Sequence, residues 1–402
     1  MEKVFIVAAK RTPIGAFGGS LKNTSAGNLA AVAIKGALEA AKLTGDKIDE
    51  VIVGNVVGAG QGMGVGRQAA LFAGIPDAVP AYGVNMVCGS GMKTVMDAVS
   101  HIRSGDTEIV VAAGVEVMSQ IPFAAPSSIR DGNKMGNLEL KDLLVADGLT
   151  DVYNQYHMGV TAENVVKEIG LTRQQQDEYA LSSQQKAVAA IEAGKFKDEI
   201  VPVEVKQRRE TVLFDTDEYP KANATMEALS KLRPAFDREG TVTAGNASGI
   251  NDGASAIIVA SESAVKAHGL TPIAEIVSYA QSGLDPKIMG LGPVESVNKA
   301  LAKAELTVND IDVYELNEAF AAQALGVIHQ LAETNQVPVN AIQDKANFNG
   351  GAIALGHPLG ASGNRILVTL VHELHKQNGQ YGVASLCVGG GMGTAVVIKA
   401  VK

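Results

Sequence analysis

The sequence predicts an α/β protein built from a duplicated core, with a segment inserted between the two copies. Short apolar runs alternate with stretches of helical periodicity toward both ends of the chain. Motifs from the first part return in the same order in the last part, whereas the residues between them break this rhythm and carry more charge. We therefore expect an N-terminal core half from residues 1–118 completed by 249–271, an inserted domain over 119–248, and a C-terminal core half over 272–402.

The first copy shows the elements of a sheet that is covered by helices. Apolar runs at 5–9, 51–53 and 109–113 predict strands, and the last of them is the kind of continuous run found in strands buried on both faces. Residues 26–41 carry apolar side chains at helical spacing, which predicts an amphipathic helix. In the inserted segment, residues 172–193 predict a more polar helix.

Paired stretches indicate the duplication. The stretch 47–55, which follows a helix rich in Ala and Lys, is echoed by 310–317. The turn, strand and glycine of 105–114 are echoed by 379–391. This order places the boundary between the two halves near residues 270–272. Chance similarity between two α/β stretches is the alternative explanation.

Composition limits the classes of function. The 402 residues include 34 basic and 43 acidic side chains, and the net charge of −9 argues against a nucleic-acid-binding or membrane-surface protein. The N-terminus predicts a first strand, and we expect neither a signal peptide nor a transmembrane span. The two cysteines form no Cys-x-x-Cys or Cys/His metal spacing, which is typical of a reducing compartment. We therefore expect a cytoplasmic protein that works without a metal or a redox cofactor.

One cysteine stands at the start of a predicted helix. In the stretch 84–93, Cys88 follows an apolar run, and apolar residues then repeat at helical spacing up to Gly105. A helix N-terminus favours the thiolate over the thiol, so we expect Cys88 to act as a nucleophile. Gly89 and Gly91 leave room for an acyl group and its carrier. A small buried cysteine that only packs in the core is the alternative.

Two motifs in the second half supply further chemistry. His357 lies in the glycine-rich stretch 347–363 between Gly356 and Pro358, which favours a positioned catalytic histidine over a structural one. Cys387 ends an apolar run and precedes consecutive glycines, whose backbone N–H groups are suited to binding an oxyanion. Taken alone, Cys387 reads as a core residue. Two cysteines, one histidine and an N–H-rich loop together indicate a catalytic site.

Five motifs spread along the chain resemble those of the thiolase family, and most closely its short-chain members. They are Cys88-Gly-Ser-Gly, Gly245-Asn-Ala-Ser-Gly-Ile-Asn-Asp-Gly253, Asn317-Glu-Ala-Phe320, Gly350-Gly-Ala-Ile-Ala-Leu-Gly-His-Pro358 and Cys387-Val-Gly-Gly-Gly391. The resemblance implies a five-layer αβαβα core with an inserted loop domain. It also implies that coenzyme A thioesters are substrates and that there is no bound cofactor.

The resemblance implies a role for each catalytic residue. Cys88 would attack the thioester of one acetyl-CoA while His357 accepts its proton, and Cys387 would remove the α-proton of a second acetyl-CoA. Asn317 would hold a water that forms one oxyanion site with His357. The backbone N–H groups of Cys88 and Gly389 would form the other. Two half-reactions through one covalent intermediate imply ping-pong kinetics and a strong dependence on pH.

The inserted domain would bind coenzyme A. The resemblance places His157 and Met158 nearest the acyl group, Ser248 beside the pantetheine arm, and the Arg208-Arg209 pair as a candidate for the nucleotide phosphates. The complete set implied for substrate and coenzyme A binding is His157, Met158, Lys221, Leu232, Phe236, Ala244, Ser248, Met289 and Phe320.

The expected activity is condensation of two acetyl-CoA to acetoacetyl-CoA and CoA, together with the reverse thiolysis. The expected partners are acetyl-CoA, acetoacetyl-CoA, CoA and further copies of the chain in a homotetramer, with no nucleic acid and no membrane. Three alternatives stay open. They are a degradative 3-ketoacyl-CoA thiolase of broader chain length, a non-catalytic acyl-CoA-binding protein, and a redox sensor in which Cys88 and Cys387 form a disulfide.

Overall fold

A computed structural model describes residues 2–207 and 210–402. The strands are β1 (Val4–Arg11), β2 (Gly15–Ala16), β3 (Glu50–Gly54), β4 (Ala81–Val84), β5 (Ile109–Val117), β6 (Phe123–Ala124), β7 (Lys141–Asp142), β8 (Thr150–Asp151), β9 (Tyr156–His157), β10 (Val203–Gln207), β11 (Glu210–Phe214), β12 (Asn251–Ser261), β13 (Ala274–Gly283), β14 (Val313–Leu316), β15 (Tyr381–Val388) and β16 (Met392–Ala400). The helices are α1 (Ala26–Ala41), α2 (Val65–Phe72), α3 (Ser90–Ser104), α4 (Met158–Ile169), α5 (Arg173–Glu192), α6 (Met226–Ser230), α7 (Glu262–His268), α8 (Gly292–Lys303), α9 (Ala321–Thr334), α10 (Asn340–Gln343), α11 (Ala352–Leu355) and α12 (Leu359–Lys376).

The N-terminal half forms one part of the main sheet, in the order β4-β3-β5-β12-β1. Strand β3 is parallel to β4 and β5, which the intervening helices α2 and α3 make possible. Strand β12 runs antiparallel to β5 and β1. It comes from the segment 249–271, so the chain returns to this half after the inserted segment.

The C-terminal half repeats the pattern in the order β14-β15-β16-β13. Strands β14 and β15 are parallel, and β16 runs antiparallel to both β15 and β13. A parallel bridge between Tyr314 and Ala346 takes the place that β4 has in the first half. The halves join edge to edge, where Ile6 of β1 pairs with Ala274 of β13. The duplication predicted from the sequence is confirmed.

The core is layered. Helices α3 and α12 pack against each other, contact strands of both halves, and share one buried apolar cluster with them. Helices α1 and α2 cover the outer face of the first half, and α8 and α9 cover the outer face of the second. This is the five-layer αβαβα arrangement that we expected.

Helix α3 forms where the sequence predicted it. It begins at Ser90 and ends at Gly105, which adopts a φ of 84° that only glycine adopts at little cost. The predicted apolar residues face the central cluster and are buried: Met92, Val95, Met96, Val99 and Ile102. Their burial places the N-terminus of α3, and Cys88 just before it, against the C-terminal half.

The segment 119–248 packs over one end of these layers. Its polar helix α5 starts at a capping box formed by Thr172 and Gln175, which agrees with the predicted start. The segment is tied to β1 by the buried guanidinium of Arg11, which donates to Glu199 at 2.6 Å and to Asp217 at 2.7 and 2.9 Å. Within the part of the chain that the structure describes, no helix has both the length and the apolar character to cross a membrane.

Candidate active site

A cavity of about 540 Å³ brings most of the predicted residues together. It lies between the loops that follow β4, β14 and β15, the loop between α11 and α12, and the inserted segment. The predicted residues that line it are Cys88, His157, Met158, Phe236, Ala244, Ser248, Met289, Phe320, His357, Cys387 and Gly389. Apolar side chains make up most of the remaining lining, as is typical of small-molecule sites.

Cys88 lies on a sharp turn between β4 and α3. Val87 before it has a φ of 47°, a left-handed conformation that is costly for a β-branched residue. The Val87 N–H donates to the Asn85 side-chain oxygen at 2.9 Å. The Ser90 hydroxyl accepts from the Met86 N–H at 2.8 Å and donates to the Val87 carbonyl at 2.6 Å. These bonds hold a strained turn that presents Cys88 to the cavity.

The ionisation of Cys88 differs from the sequence expectation. Burial raises the pKa of the Cys88 thiol to about 11, although the backbone N–H groups of Gly389 and of Cys88 itself lower the pKa. Desolvation of the thiolate in an apolar cavity therefore outweighs the helix N-terminus. Cys88 is therefore a thiol at neutral pH and would need a base in order to act as a nucleophile.

A pH titration of alkylation tests this correction. With a pKa of about 11 and no substrate present, we expect the rate of Cys88 alkylation by iodoacetamide to rise about tenfold per pH unit between pH 7 and 9, because only the thiolate reacts. The rate is measured by quenching and peptide mapping. Protein unfolded in urea is the control, in which the thiol should titrate near ~8.5. If the alkylation rate of the folded protein reached a plateau below pH 8, Cys88 would be a thiolate near neutral pH, as the sequence predicted.

His357 is held as a neutral base. Its Nδ1 lies 2.6 Å from the Ser362 hydroxyl, and that hydroxyl donates to the Pro358 carbonyl at 2.9 Å. Since the hydroxyl has one proton to give, Nδ1 carries the ring proton and Nε2 keeps its lone pair. Burial and, to a smaller extent, the positive charge of Arg365 together lower the pKa of His357 to about 3. Nε2 has no hydrogen-bond partner within residues 2–207 and 210–402 and can accept a proton.

Cys387 and the glycines after it form the opposite wall. Cys387 is the penultimate residue of β15 and is buried. Burial raises the pKa of its thiol, and the negative charge of an ionised Cys88 raises it further, so the two thiols interact. Gly390 and Gly391 have φ values of 87° and 83°, which turn the chain back into β16. The turn leaves the Gly389 N–H directed at the Cys88 sulfur.

Asn317 lies behind the cavity lining. It follows β14, is buried, and is fixed by a backbone bond to the Ser385 carbonyl at 3.0 Å. Neither atom of its side-chain amide has a hydrogen-bond partner in the described part of the chain. A buried amide of this kind is suited to binding a polar group from the cavity.

The part of the cavity that His157 lines is aromatic. His157 starts α4, where its Nδ1 accepts the Gly159 N–H at 3.0 Å, so its Nε2 carries the proton. Its ring stacks on Phe236 with centroids 4.6 Å apart, and Phe236 meets Phe320 edge to face at 6.2 Å. Burial lowers the pKa of His157, which keeps the ring neutral. The same buried cluster contains Met158, Met289 and Cys387.

Besides Asn317, two predicted residues are not part of the lining. Lys221 is exposed, and its ammonium lies 5.6 Å from the ring of Tyr219, which does line the cavity. Leu232 is also exposed and packs against Gly245. Both therefore lie near the rim. The predicted pair Arg208-Arg209 falls outside the described residues.

Sequence reasoning missed several lining and supporting residues. Leu149 of the inserted segment, Tyr219 and Leu359 line the cavity, and Val87 lines it beside Cys88. Ser362, which orients His357, was present in the glycine-rich motif five residues after the histidine. The sequence carried a signal for Leu359, Ser362 and Val87, because each lies within a motif, but none for Leu149 and Tyr219.

The arrangement suits acyl transfer through a covalent thioester. A thiol, a neutral imidazole with a free lone pair and a second thiol share one apolar cavity, with a backbone N–H facing the first sulfur. Cys88, His357 and Cys387 are all buried, which shields proton transfers between them from bulk solvent.

Comparison with known proteins agrees with this chemistry. The model of the thiolase N-terminal domain matches residues 4–263, and the model of the thiolase C-terminal domain matches residues 270–400. An acetyl-CoA acetyltransferase from Cupriavidus necator is 54% identical over 400 residues, which is 99% of this chain and 100% of that protein.

Solved structures extend the comparison to the fold. The acetyl-CoA acetyltransferase of Bacillus anthracis superposes with a TM-score of 0.95 at 44% identity, covering 100% of this chain and 99% of the other. Human mitochondrial 3-ketoacyl-CoA thiolase in complex with CoA gives 0.93 at 46% identity, covering 100% and 98%. Because both domain models match and the likeness extends over nearly the whole length in sequence and fold, the chain belongs to the thiolase family.

Proposed function

We propose that this thiolase is an acetyl-CoA C-acetyltransferase that condenses two acetyl-CoA to acetoacetyl-CoA and CoA and catalyses the reverse thiolysis. The observation that carries the proposal is the meeting of Cys88, His357 and Cys387 in one apolar cavity, with the His357 Nε2 lone pair free. The names of the relatives, and their full-length similarity, support acetyl-CoA as the substrate.

In the first half-reaction, the Cys88 sulfur attacks the thioester carbonyl while His357 Nε2 takes the thiol proton. The backbone N–H groups of Cys88 and Gly389 stabilise the developing oxyanion, and one such donor contributes ~3 kcal/mol in comparable sites. The bond between carbonyl carbon and CoA sulfur then breaks. The departing CoA sulfur takes the proton back from His357, which leaves acetyl-Cys88 and neutral CoA.

In the second half-reaction, Cys387 acts as the base toward a second acetyl-CoA. Its thiol first passes a proton to His357, and the thiolate then removes the α-proton, which leaves a carbanion next to the thioester. The carbanion attacks the acetyl carbon on Cys88, a C–C bond forms, and the bond to the Cys88 sulfur breaks. The Cys88 thiolate recovers its proton from His357, so all three groups return to their starting states. Asn317 and a water would stabilise the charge that develops on the second thioester.

We propose that residues 119–248 form the coenzyme A-binding domain. His157 and Met158 lie nearest the acyl group, and Phe236, Ala244, Ser248, Met289 and Phe320 line the path of the pantetheine arm. Lys221 and Leu232 at the rim would contact the nucleotide end. We also propose that the protein is cytoplasmic.

A homotetramer is also proposed. The edge strand β4 is open to pairing, and Tyr82 and Gly83 on it are exposed. The loop near β6 and β7 presents exposed Phe123, Met135 and Leu140. An open sheet edge and exposed apolar side chains both favour association. Light scattering at several protein concentrations would measure the number of chains, and a monomer throughout would refute this part.

The direct test is incubation of the reduced protein with acetyl-CoA alone, followed by intact mass and peptide mapping. We expect one acetyl group on Cys88, which is lost when CoA is added, because the half-reaction is reversible. An unmodified Cys88 in a folded, reduced sample would count against the assignment and would favour the acyl-CoA-binding alternative.

The length of the acyl chain is tested by a second assay. The similarity to human mitochondrial 3-ketoacyl-CoA thiolase supports a degradative enzyme of broader chain length as the second candidate. The aromatic and methionine side chains around the acyl end favour a short chain, because they fill the space that a long chain needs. Thiolysis rates on acetoacetyl-CoA and on a long-chain 3-ketoacyl-CoA are compared, and a faster rate on the long chain would support the second candidate.

A further inference from the structure

Glu116 is a buried carboxylate that the mechanism above does not use. It is the penultimate residue of β5 and is 0% exposed. One oxygen accepts from the Val56 N–H and the Gly360 N–H, both at 2.9 Å. The other accepts from the Val57 N–H and the Asn55 side-chain amide, both at 3.1 Å. Four donors from two separate segments therefore meet on one carboxyl group.

The first segment leads to Cys88. The Asn85 side chain donates to the Val56 carbonyl at 2.9 Å, and its oxygen accepts the Val87 N–H at 2.9 Å. The strained turn that presents Cys88 is thus bonded to the residues that Glu116 holds. A shift of the 55–57 backbone would be passed to the nucleophile through Asn85.

The second segment leads to His357. Gly360 lies in the first turn of α12, three residues after His357. Pro358 at the helix start offers no side-chain cap, so the Glu116 carboxylate provides the negative group at this N-terminus. The contact is close, since a Cβ on Gly360 would lie 2.5 Å from the Val115 carbonyl oxygen and 2.7 Å from the Glu116 carboxylate. The close contact therefore fixes the position of the first turn of α12 relative to β5.

We propose that Glu116 is a positioning residue that sets the separation between the Cys88 sulfur and His357 Nε2, by bonding both of their loops to one carboxylate. The inference rests on the proposed function, because the separation matters only if His357 takes the Cys88 proton. Proton transfer depends steeply on geometry, and a displacement of about 1 Å costs on the order of 100-fold in rate.

The substitution Glu116→Gln isolates the role. An amide has one acceptor oxygen, so the variant loses two of the four bonds in either orientation: those to Val56 and Gly360, or those to Val57 and Asn55. Burial raises the pKa of Glu116 to about 7, with the Asp252 charge adding to the rise, while the backbone N–H groups of Val56, Val57 and Gly360 lower it. The assay is therefore run at pH 8, where the wild-type carboxyl group is ionised.

The readout is a double-mutant cycle with His357→Asn on the rate of Cys88 acetylation by acetyl-CoA, followed by intact mass over seconds to hours. We expect Glu116→Gln to slow acetylation about 100-fold when His357 is present and less than about threefold when it is absent, with KM for acetyl-CoA changed less than about threefold. An equal loss in both backgrounds, or a loss confined to KM, would overturn the positioning role.

Two further variants keep the test decisive. Glu373→Gln removes a carboxylate that is equally buried and bonded to Asn349 and Gln377, and it should change acetylation by less than about threefold. If Glu116→Gln does not fold, as judged by thermal melting, Asn85→Asp replaces it. This variant keeps the acceptor for Val87 but loses the bond to Val56, and we expect a loss of about tenfold that again needs His357. Failure of the wild type to be acetylated would refute the proposed function, whereas an acetylated wild type with an additive cycle would refute only the role of Glu116.

Discussion

Replacing Cys88 with alanine is expected to abolish both directions of the reaction, with a fall in kcat of at least about 10⁴-fold, because the acetyl intermediate is carried by the Cys88 sulfur and the second thiol of the cavity, Cys387, acts as the base. The variant should also lose the acetyl adduct on incubation with acetyl-CoA. Steady-state thiolysis of acetoacetyl-CoA and intact mass measure the two effects. The fold should persist, since the change removes a single sulfur atom from a packed site.

The control for this variant is the binding of CoA. Because the change removes one sulfur atom from a cavity that many other residues line, the affinity for CoA should stay within about threefold of that of the wild type. Binding is measured by calorimetry. A variant that still forms acetoacetyl-CoA at a tenth of the wild-type rate would show that the covalent intermediate lies elsewhere.

Replacing Cys387 with alanine should separate the two half-reactions. We expect acetyl-Cys88 to form at a rate within about threefold of wild type, because His357 alone moves the proton in that step. Condensation should fall on the order of 10³-fold, since the α-proton of the second acetyl-CoA loses its base. A rapid-quench measurement of CoA release, run beside a steady-state condensation assay, gives both rates on one sample.

The opposite result would reassign the base. Equal losses in CoA release and condensation would mean that Cys387 takes part in the first step as well. An unchanged condensation rate would mean that a residue other than Cys387 removes the α-proton. His357 would then be the first candidate, because its Nε2 has no hydrogen-bond partner among the described residues. His357→Asn in the same two assays distinguishes these cases.

The core halves show why sequence patterns were sufficient for the fold. Helix α1 was predicted at 26–41 and spans Ala26–Ala41, since its apolar spacing, Ser25 cap and αL end are all local. Strand β5 was predicted only over 109–113, because Gly114 follows the apolar run, but the strand continues through Glu116 and spans Ile109–Val117. Hydropathy does not predict a charged residue inside a fully buried strand. The N–H donors of two distant loops stabilise the buried Glu116 carboxylate by hydrogen bonding.

The site residues divide in the same way. Cys88 and His357 could be proposed from their glycine-rich motifs without a structure, whereas Cys387, which alone reads as a core residue, could be proposed only together with them and with the family resemblance. Their ionisation could not, because the expected thiolate at the helix N-terminus is a thiol once desolvation of the cavity is included. Tyr219 and Leu149 were missed because their segments carry no motif and reach the cavity only by folding over it.

Local pattern was thus enough to predict the duplicated α/β core and several of its strands and helices, and to propose the three candidate catalytic side chains, because the motifs consist of residues close in sequence. The tertiary structure alone decided which loops meet and which groups are desolvated. These properties arise from contacts between segments hundreds of residues apart, such as the 244 residues that separate Glu116 from Gly360. No periodicity or motif records such contacts, because the free energy that selects them comes from packing and desolvation in the folded chain.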